Sequence, residues 1–197
     1  GQICCITKRF IVQNSIKDAY LEGLKKAVAG IKVGNPADPA NMMGCLVNER
    51  AAAEVVSQVE DMVSQGAALV AGGKRDGAFV EPSIIDCPKD LPAAKDLEIF
   101  GPVWTVIGFD TDEEAIEIAN QSVYGLNGGV IAGSVEHGLK IAQHIESGTV
   151  VANGEGSFRD PRHPFGGYKH SGLGREGIPD LMREFTQRKT LVVRGIE

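Results

Sequence analysis

The stretch Val103-Trp104-Thr105-Val106-Ile107-Gly108-Phe109 is followed at once by Asp110-Thr111-Asp112-Glu113-Glu114-Ala115. The first part is a run of β-branched and aromatic residues, which reads as a buried strand. The second part opens a helix: Thr111 and Glu114 have the spacing of a capping box, and Ala115, Ile118 and Ala119 fall on one face. The same alternation continues on both sides. Downstream come a short strand over 129–132, a helix over 134–147 and a strand over 149–152. Upstream, residues 9–13 read as a strand because Phe10, Ile11 and Val12 are consecutive. Residues 15–31 read as a helix with the stripe Ile16, Tyr20, Leu24, Ala27, Val28 and Ile31, its start marked by the Ser15–Asp18 spacing.

Residues 34–44 hold Asn35, Pro36 and Pro39 and read as a loop. A helix over 49–65 carries Ala52, Val55, Val56, Val59, Met62 and Val63 on one face, with Gly66 just past its end. Strands are predicted over 67–71 and, interrupted by Pro82, over 78–85. A last strand is predicted over 191–194. Strands alternating with helices of ten or more residues imply an α/β, three-layer domain. Its sheet would be mostly parallel and covered by helices on both faces. Residues 165–177 are glycine-rich and read as an irregular loop, of the kind that is commonly functional.

The composition is that of an ordinary soluble domain. In 197 residues, 43% are hydrophobic, 23% are charged and the net charge is −6. A chain of this length buries roughly 70% of its unfolded surface, enough for a core. The acidic balance argues against a nucleic-acid partner, and no apolar run reaches the roughly 20 residues of a membrane span. The four cysteines, Cys4, Cys5, Cys45 and Cys87, form no disulfide framework and point to a reducing, cytoplasmic setting. No metal-ligand spacing is present among them or the four histidines.

Three segments could carry chemistry. Cys4 lies near Gly1 and could be an activated thiolate, or Cys4 and Cys5 could be small buried apolar residues. Glu98-Ile99-Phe100-Gly101-Pro102 puts a carboxylate and an aromatic at a Gly-Pro turn before a buried strand, a place where parallel sheets bind ligands. Alone it reads as well as a solvated Glu beside a core Phe. Pro164-Phe165-Gly166-Gly167-Tyr168-Lys169, continuing through Ser171-Gly172 and Gly174-Arg175-Glu176, lets backbone pass close to a ligand or to another loop. It lacks the spacing of a phosphate loop.

In this order the segments resemble the aldehyde dehydrogenase superfamily. Gly1-Gln2-x-Cys4 is similar to the family's cysteine motif and Glu98-x-Phe100-Gly101-Pro102 to its cofactor motif. Ala115 to Asn120 with Tyr124-Gly125-Leu126, Gly148-Thr149-Val150-x-x-Asn153 and the glycine-rich segment resemble further signatures, so the likeness spans essentially the whole chain. One departure is Gly44-Cys45, where the family commonly has Gly-Pro.

The resemblance implies oxidation of a small-molecule aldehyde to a carboxylic acid with NAD or NADP. It makes Cys4 the nucleophile, passing through a thiohemiacetal and a thioester, with its backbone N–H as an oxyanion donor. Glu98 would bind the nicotinamide ribose, Phe100 would pack beside the nicotinamide, and Phe165 and Phe158 would line the substrate tunnel. The resemblance further implies a catalytic domain over 1–188 and a C-terminal oligomerisation strand over 189–197, in a homodimer or homotetramer. The cofactor-binding domain would precede the cysteine motif and be absent from this chain, leaving the chain alone without dehydrogenase turnover. Other readings of the same cysteine are a CoA-acylating semialdehyde dehydrogenase, a cofactor-independent thiol esterase, or a fold kept for interaction without chemistry. Arg159 and Arg162 could hold the carboxylate of a semialdehyde, or pair with Asp160 or Glu155 at the surface.

Overall fold

A computed structural model describes residues 1–195. Its main sheet has four strands: β1 (Arg9–Gln13), β2 (Ala68–Ala71), β5 (Ser83–Asp86) and β6 (Val103–Phe109), in the spatial order β1-β6-β5-β2. Both neighbours of β6 run parallel to it, with Ile11 opposite Ile107 and Ile85 opposite Thr105, while β2 is antiparallel to β5. The expected α/β domain with a mostly parallel sheet is what the chain forms.

Alternation along the strands divides the core. Ile84 and Val106 point to one face and meet Leu21 and Val28 of α1 (Asn14–Ala29). Ile85 and Ile107 point to the other. There they meet Val55, Val59 and Met62 of α2 (Glu49–Ser64) and Ile118 of α3 (Asp112–Asn120). All four central isoleucines and valines are fully buried, so the two faces are closed by helices as the strand–helix alternation predicts.

The helix starts follow local chemistry. Asn48 caps α2 by accepting the Ala51 N–H at 2.8 Å. Thr111 caps α3 through the Glu114 N–H at 3.3 Å, while the Glu114 carboxylate reaches the Asp110 N–H at 2.7 Å. The expected Ser15–Asp18 cap does not form, because α1 begins one residue earlier, straight off β1. Of the predicted stripe, Tyr20, Leu24, Val28 and Ile31 pack on the core, Ile16 is exposed, and Leu21 joins the buried face.

Two short pairs, β3 (Arg75–Asp76) with β4 (Phe79–Val80) and β7 (Tyr124–Gly125) with β10 (Tyr168–Lys169), pin loops. Beyond α3, β8 (Asn127–Val130) and β9 (Thr149–Ala152) form a separate parallel pair. Helix α4 (Val135–Ala142) packs on that pair. The helix is shorter than expected. Asn120 donates to the His144 carbonyl at 2.7 Å and accepts the Glu146 N–H at 2.8 Å, which takes those backbone groups out of a helical ladder. Likewise β8 ends before Ala132, whose N–H goes to the Asn153 side chain at 2.8 Å.

Helix α5 (Ile178–Glu184), which the sequence reading lacks, follows the left-handed turn at Gly177. The predicted strand over 191–194 is not formed. Leu191, Val192 and Val193 are each at least 75% exposed and lie outside every named strand. A strand exists only against a neighbour's backbone, and none of the described residues provides one. The end of the expected segment 189–197 lies outside the described residues.

Candidate active site

Residues 1–8 lead into β1 and form a turn closed by the Ile6 N–H on the Ile3 carbonyl at 3.3 Å. Cys4 is exposed and Cys5 half-buried. Cys4 is therefore not a buried apolar residue, and no acceptor among the described residues takes its backbone N–H. Gln2 ties the turn to the start of α2 by accepting the Val47 N–H at 2.9 Å. Gly1 packs on Gly101, where a Cβ would sit 2.0 Å from the Gly101 carbonyl oxygen. A Cβ on Gly101 would in turn meet Val55 at 2.7 Å. Two adjacent glycine positions thus let the cysteine turn, the Gly101-Pro102 turn and α2 stack closely.

That stacking brings Cys4's turn to Glu98 and Phe100. Both side chains remain open to solvent, Glu98 at 40% and Phe100 at 36%. With Gln2, Val55 and Gln58 they line a recess of about 80 Å³. A neighbouring cavity of about 150 Å³ is bordered by Gly1, Gln2, Cys45, Leu46 and Pro102.

Sequence reasoning missed Lys8. Its ammonium lies 3.9 Å from the centroid of the Phe100 ring, 3.4 Å from the Ile99 carbonyl and 4.0 Å from Glu98 Oε1. Burial pushes its pKa down, opposed by the charge of Glu98 and, after it, of Cys4 and Cys5. The available signal was a Lys-Arg pair just past Cys4, which means little until β1 aligns Lys8 with the Glu98 segment. Its neighbour Arg9 serves structure. Its guanidinium donates to the carbonyls of Ile118 at 2.7 Å, Ala119 at 2.9 Å and Ala94 at 3.3 Å.

The substrate-side candidates lie elsewhere. Phe158 is 54% exposed. Phe165 is bridged to Glu176 by paired backbone hydrogen bonds of 2.6 and 2.7 Å. Arg159 stacks over the Phe165 ring at 3.9 Å and bonds Glu176 at 2.7 Å. Arg162 pairs with Asp160 through Nε at 2.9 Å, and this hydrogen bond draws the Asp160 carboxyl down to about 2. Both arginines are therefore paired at the surface, Arg159 with Glu176 and not with either expected carboxylate. No hydrogen bond or ion pair among the described residues joins Phe158 or Phe165 to the Cys4 cluster, and neither borders the two recesses beside it.

The sequence model of the Aldehyde dehydrogenase family matches residues 1–191. The chain belongs to that family. It is 37% identical to the benzaldehyde dehydrogenase YfmT of Bacillus subtilis over 98% of this chain and 40% of that protein. Among solved structures, it superposes on aldehyde dehydrogenase 21 of Physcomitrella patens, determined with the reaction product succinate. The TM-score is 0.93 at 34% identity, covering 99% of this chain and 40% of that one. An aldehyde dehydrogenase of Mycobacterium tuberculosis complexed with NAD+ gives a TM-score of 0.92 at 39% identity, covering 98% and 41%. This aldehyde dehydrogenase chain thus spans about 40% of the length of the relatives it matches. No helix among its described residues is long and apolar enough to cross a membrane.

The residues present fit part of a nicotinamide cofactor's surroundings. Glu98 is a half-open carboxylate whose nearest cation is 4.0 Å away, free to accept from a diol. Phe100 is a partly exposed aromatic ring two residues on, with the Lys8 ammonium over it.

Proposed function

We propose that this chain is the cysteine-bearing part of an NAD- or NADP-dependent aldehyde dehydrogenase that converts a small aldehyde to its carboxylic acid. The observation that carries the reading is the exposed Cys4 on a turn that Gly1 holds against Gly101 and whose Gln2 borders one recess with Glu98 and Phe100.

In this mechanism the Cys4 thiolate attacks the aldehyde carbon. A carbon–sulfur bond forms, and the carbonyl π electrons move to oxygen. The unpaired Cys4 N–H is available to that oxyanion. The chemistry that bound nicotinamide supplies is acceptance of hydride. Glu98 would hold the nicotinamide ribose by accepting its hydroxyl hydrogens, and Phe100 would offer an apolar wall. As the oxyanion re-forms the carbonyl, the former aldehyde C–H bond breaks and its hydrogen departs as hydride, leaving the acyl group on Cys4 as a thioester. Water then adds to that carbonyl and the carbon–sulfur bond breaks, releasing the acid and restoring the thiol. Phe158 and Phe165 are proposed as aromatic walls for the aldehyde. The exposed Leu191–Val193 segment supports a role in pairing with a second subunit, as in a homodimer or homotetramer.

The test is aldehyde-dependent reduction of NAD and NADP by the full-length protein and by its Cys4→Ala variant. We expect turnover with one or both dinucleotides, falling by at least about a thousandfold in the variant. Equal turnover in Cys4→Ala, or none in the unaltered protein across a broad aldehyde panel, overturns the reading.

A further inference from the structure

Consecutive residues of a strand point to opposite faces, and Lys8 and Arg9 show what that does at the mouth of β1. Arg9 turns inward and is consumed by three backbone carbonyls. Within reach of the charge of Cys4 and Cys5, Lys8 turns toward the Glu98 segment and meets three of its groups: the Ile99 carbonyl, the Glu98 carboxylate and the Phe100 ring. Those three belong to consecutive residues, so a single ammonium touches the whole segment from one side. Lys8 is also the more buried partner, with 19% of its side chain exposed against 40% for Glu98. A cation held 4.0 Å from a half-open carboxylate and against one face of an aromatic ring steadies both. At 4.0 Å the Glu98 carboxylate keeps its own acceptor positions. Among the described residues, the other side-chain support for this backbone is Gln58, whose amide reaches the Glu98 carbonyl at 3.4 Å.

The geometry points to Lys8 as a positioning residue that presets Glu98 and Phe100 for the dinucleotide. The inference rests on reading those two as cofactor contacts. A mobile carboxylate and a mobile ring would each have to be ordered on binding, and that ordering weakens affinity. Partly desolvated cation–π contacts are strong enough to hold a ring. The ammonium does this work through charge. A side chain of the same length without charge keeps the packing of the stem and loses the hold on both groups.

The experiment compares the full-length protein with Lys8→Met, Lys8→Gln and Lys8→Arg by fluorescence titration with NADH and NADPH, and records the thermal midpoint of each. Lys8→Met and Lys8→Gln are expected to bind about fivefold to tenfold more weakly, with midpoints within about 2 °C of the parent. Lys8→Arg keeps the cation and the ring contact and restores affinity to within about twofold. A merely structural lysine predicts the opposite pattern: midpoints fall together with affinity, or Lys8→Arg binds no better than Lys8→Met. Equal binding by Lys8→Met and the parent overturns the role. If Glu98→Gln weakens binding while Lys8→Met and Lys8→Gln do not, the cofactor reading stands and Lys8 alone is excluded. If the parent binds neither dinucleotide, the cofactor reading fails and the role of Lys8 fails with it.

Discussion

Residues 1–118 build two core clusters from their apolar side chains, although Met42 and Val47 stay exposed, whereas residues 119–195 contribute to neither. In the first region, α1, α2 and α3 close both faces of the β1-β6-β5-β2 sheet, and the two core clusters draw on this region alone. In the second, β8 and β9 form a two-stranded pair with one helix on it, and large apolar residues stay in water. Ile131 is 86% exposed, Val135 59%, Met182 66% and Phe185 87%. The candidate site divides along the same line. Cys4, Lys8, Glu98 and Phe100 ride on the closed region, whereas Phe158 and Phe165 belong to the open one. Chemistry that needs atoms held to fractions of an ångström sits on the part of the chain that completes its own core. The residues proposed to meet variable substrates sit on the part that does not.

The comparison breaks most easily at its core. Ile107 is fully buried in β6, and Ile131 lies just past the end of β8 in solvent. Ile107→Ala should cost about 3 kcal/mol, combining lost transfer free energy with a cavity that packed neighbours cannot fill. Ile131→Ala should cost no more than about 0.5 kcal/mol. Denaturant unfolding of the full-length protein reads both. If Ile131→Ala proves as costly, its side chain is covered in solution and the second region is not open.

A second contrast concerns the thiols. Cys87 is fully buried against the sheet, and burial, with Asp86 beside it, pushes its pKa up to about 11. At pH 8 only about one Cys87 in a thousand would be thiolate even if reagent reached it. Iodoacetamide labelling followed by peptide mapping should therefore modify the exposed Cys4 and leave Cys87 more than about a hundredfold behind. Comparable rates at both would mean that the closed region opens readily.

The two regions also differ in how well the sequence revealed them. Over 103–109 and 149–152 the predicted strands coincide with the observed ones, because a run of β-branched residues flanked by turn residues has few other uses. The Thr111 cap was equally readable, since it depends on neighbours three residues apart. The truncation of α4 was not, because Asn120 acts on His144 and Glu146 from more than 20 residues away. The missing strand over 191–194 shows the same limit: its residues have β propensity, and propensity does not supply a partner. At the site, Cys4, Glu98 and Phe100 were legible as motifs. Lys8 was not, because its meaning comes from the parallel alignment of β1 with β6 and from the stacking of Gly1 on Gly101.

The smallest effect tests how tightly the loop before Phe165 is coupled to the rest. Arg162 hydrogen-bonds Asp160 and lowers its carboxyl to about 2, from an ordinary value of 3.8. A depressed folded pKa stabilises the folded form above the unfolded pKa, and that contribution disappears as pH falls through the folded value. Whatever Asp160 adds is thus present above about pH 4 and gone near pH 2. Arg162 is exposed and Asp160 lies at the surface with its side chain partly covered, so the effect on the thermal midpoint should be about a degree or two at most. Asp160→Asn should melt slightly earlier than the parent at pH 5 and together with it near pH 2. Limited proteolysis over residues 155–165 should show the larger change at pH 5, because the pair folds the loop locally through the Arg162 N–H on Asp160 at 2.9 Å. A midpoint that instead follows Asp160 by many degrees would mean that this loop is welded to the closed region, and the boundary drawn near residue 118 would have to be abandoned.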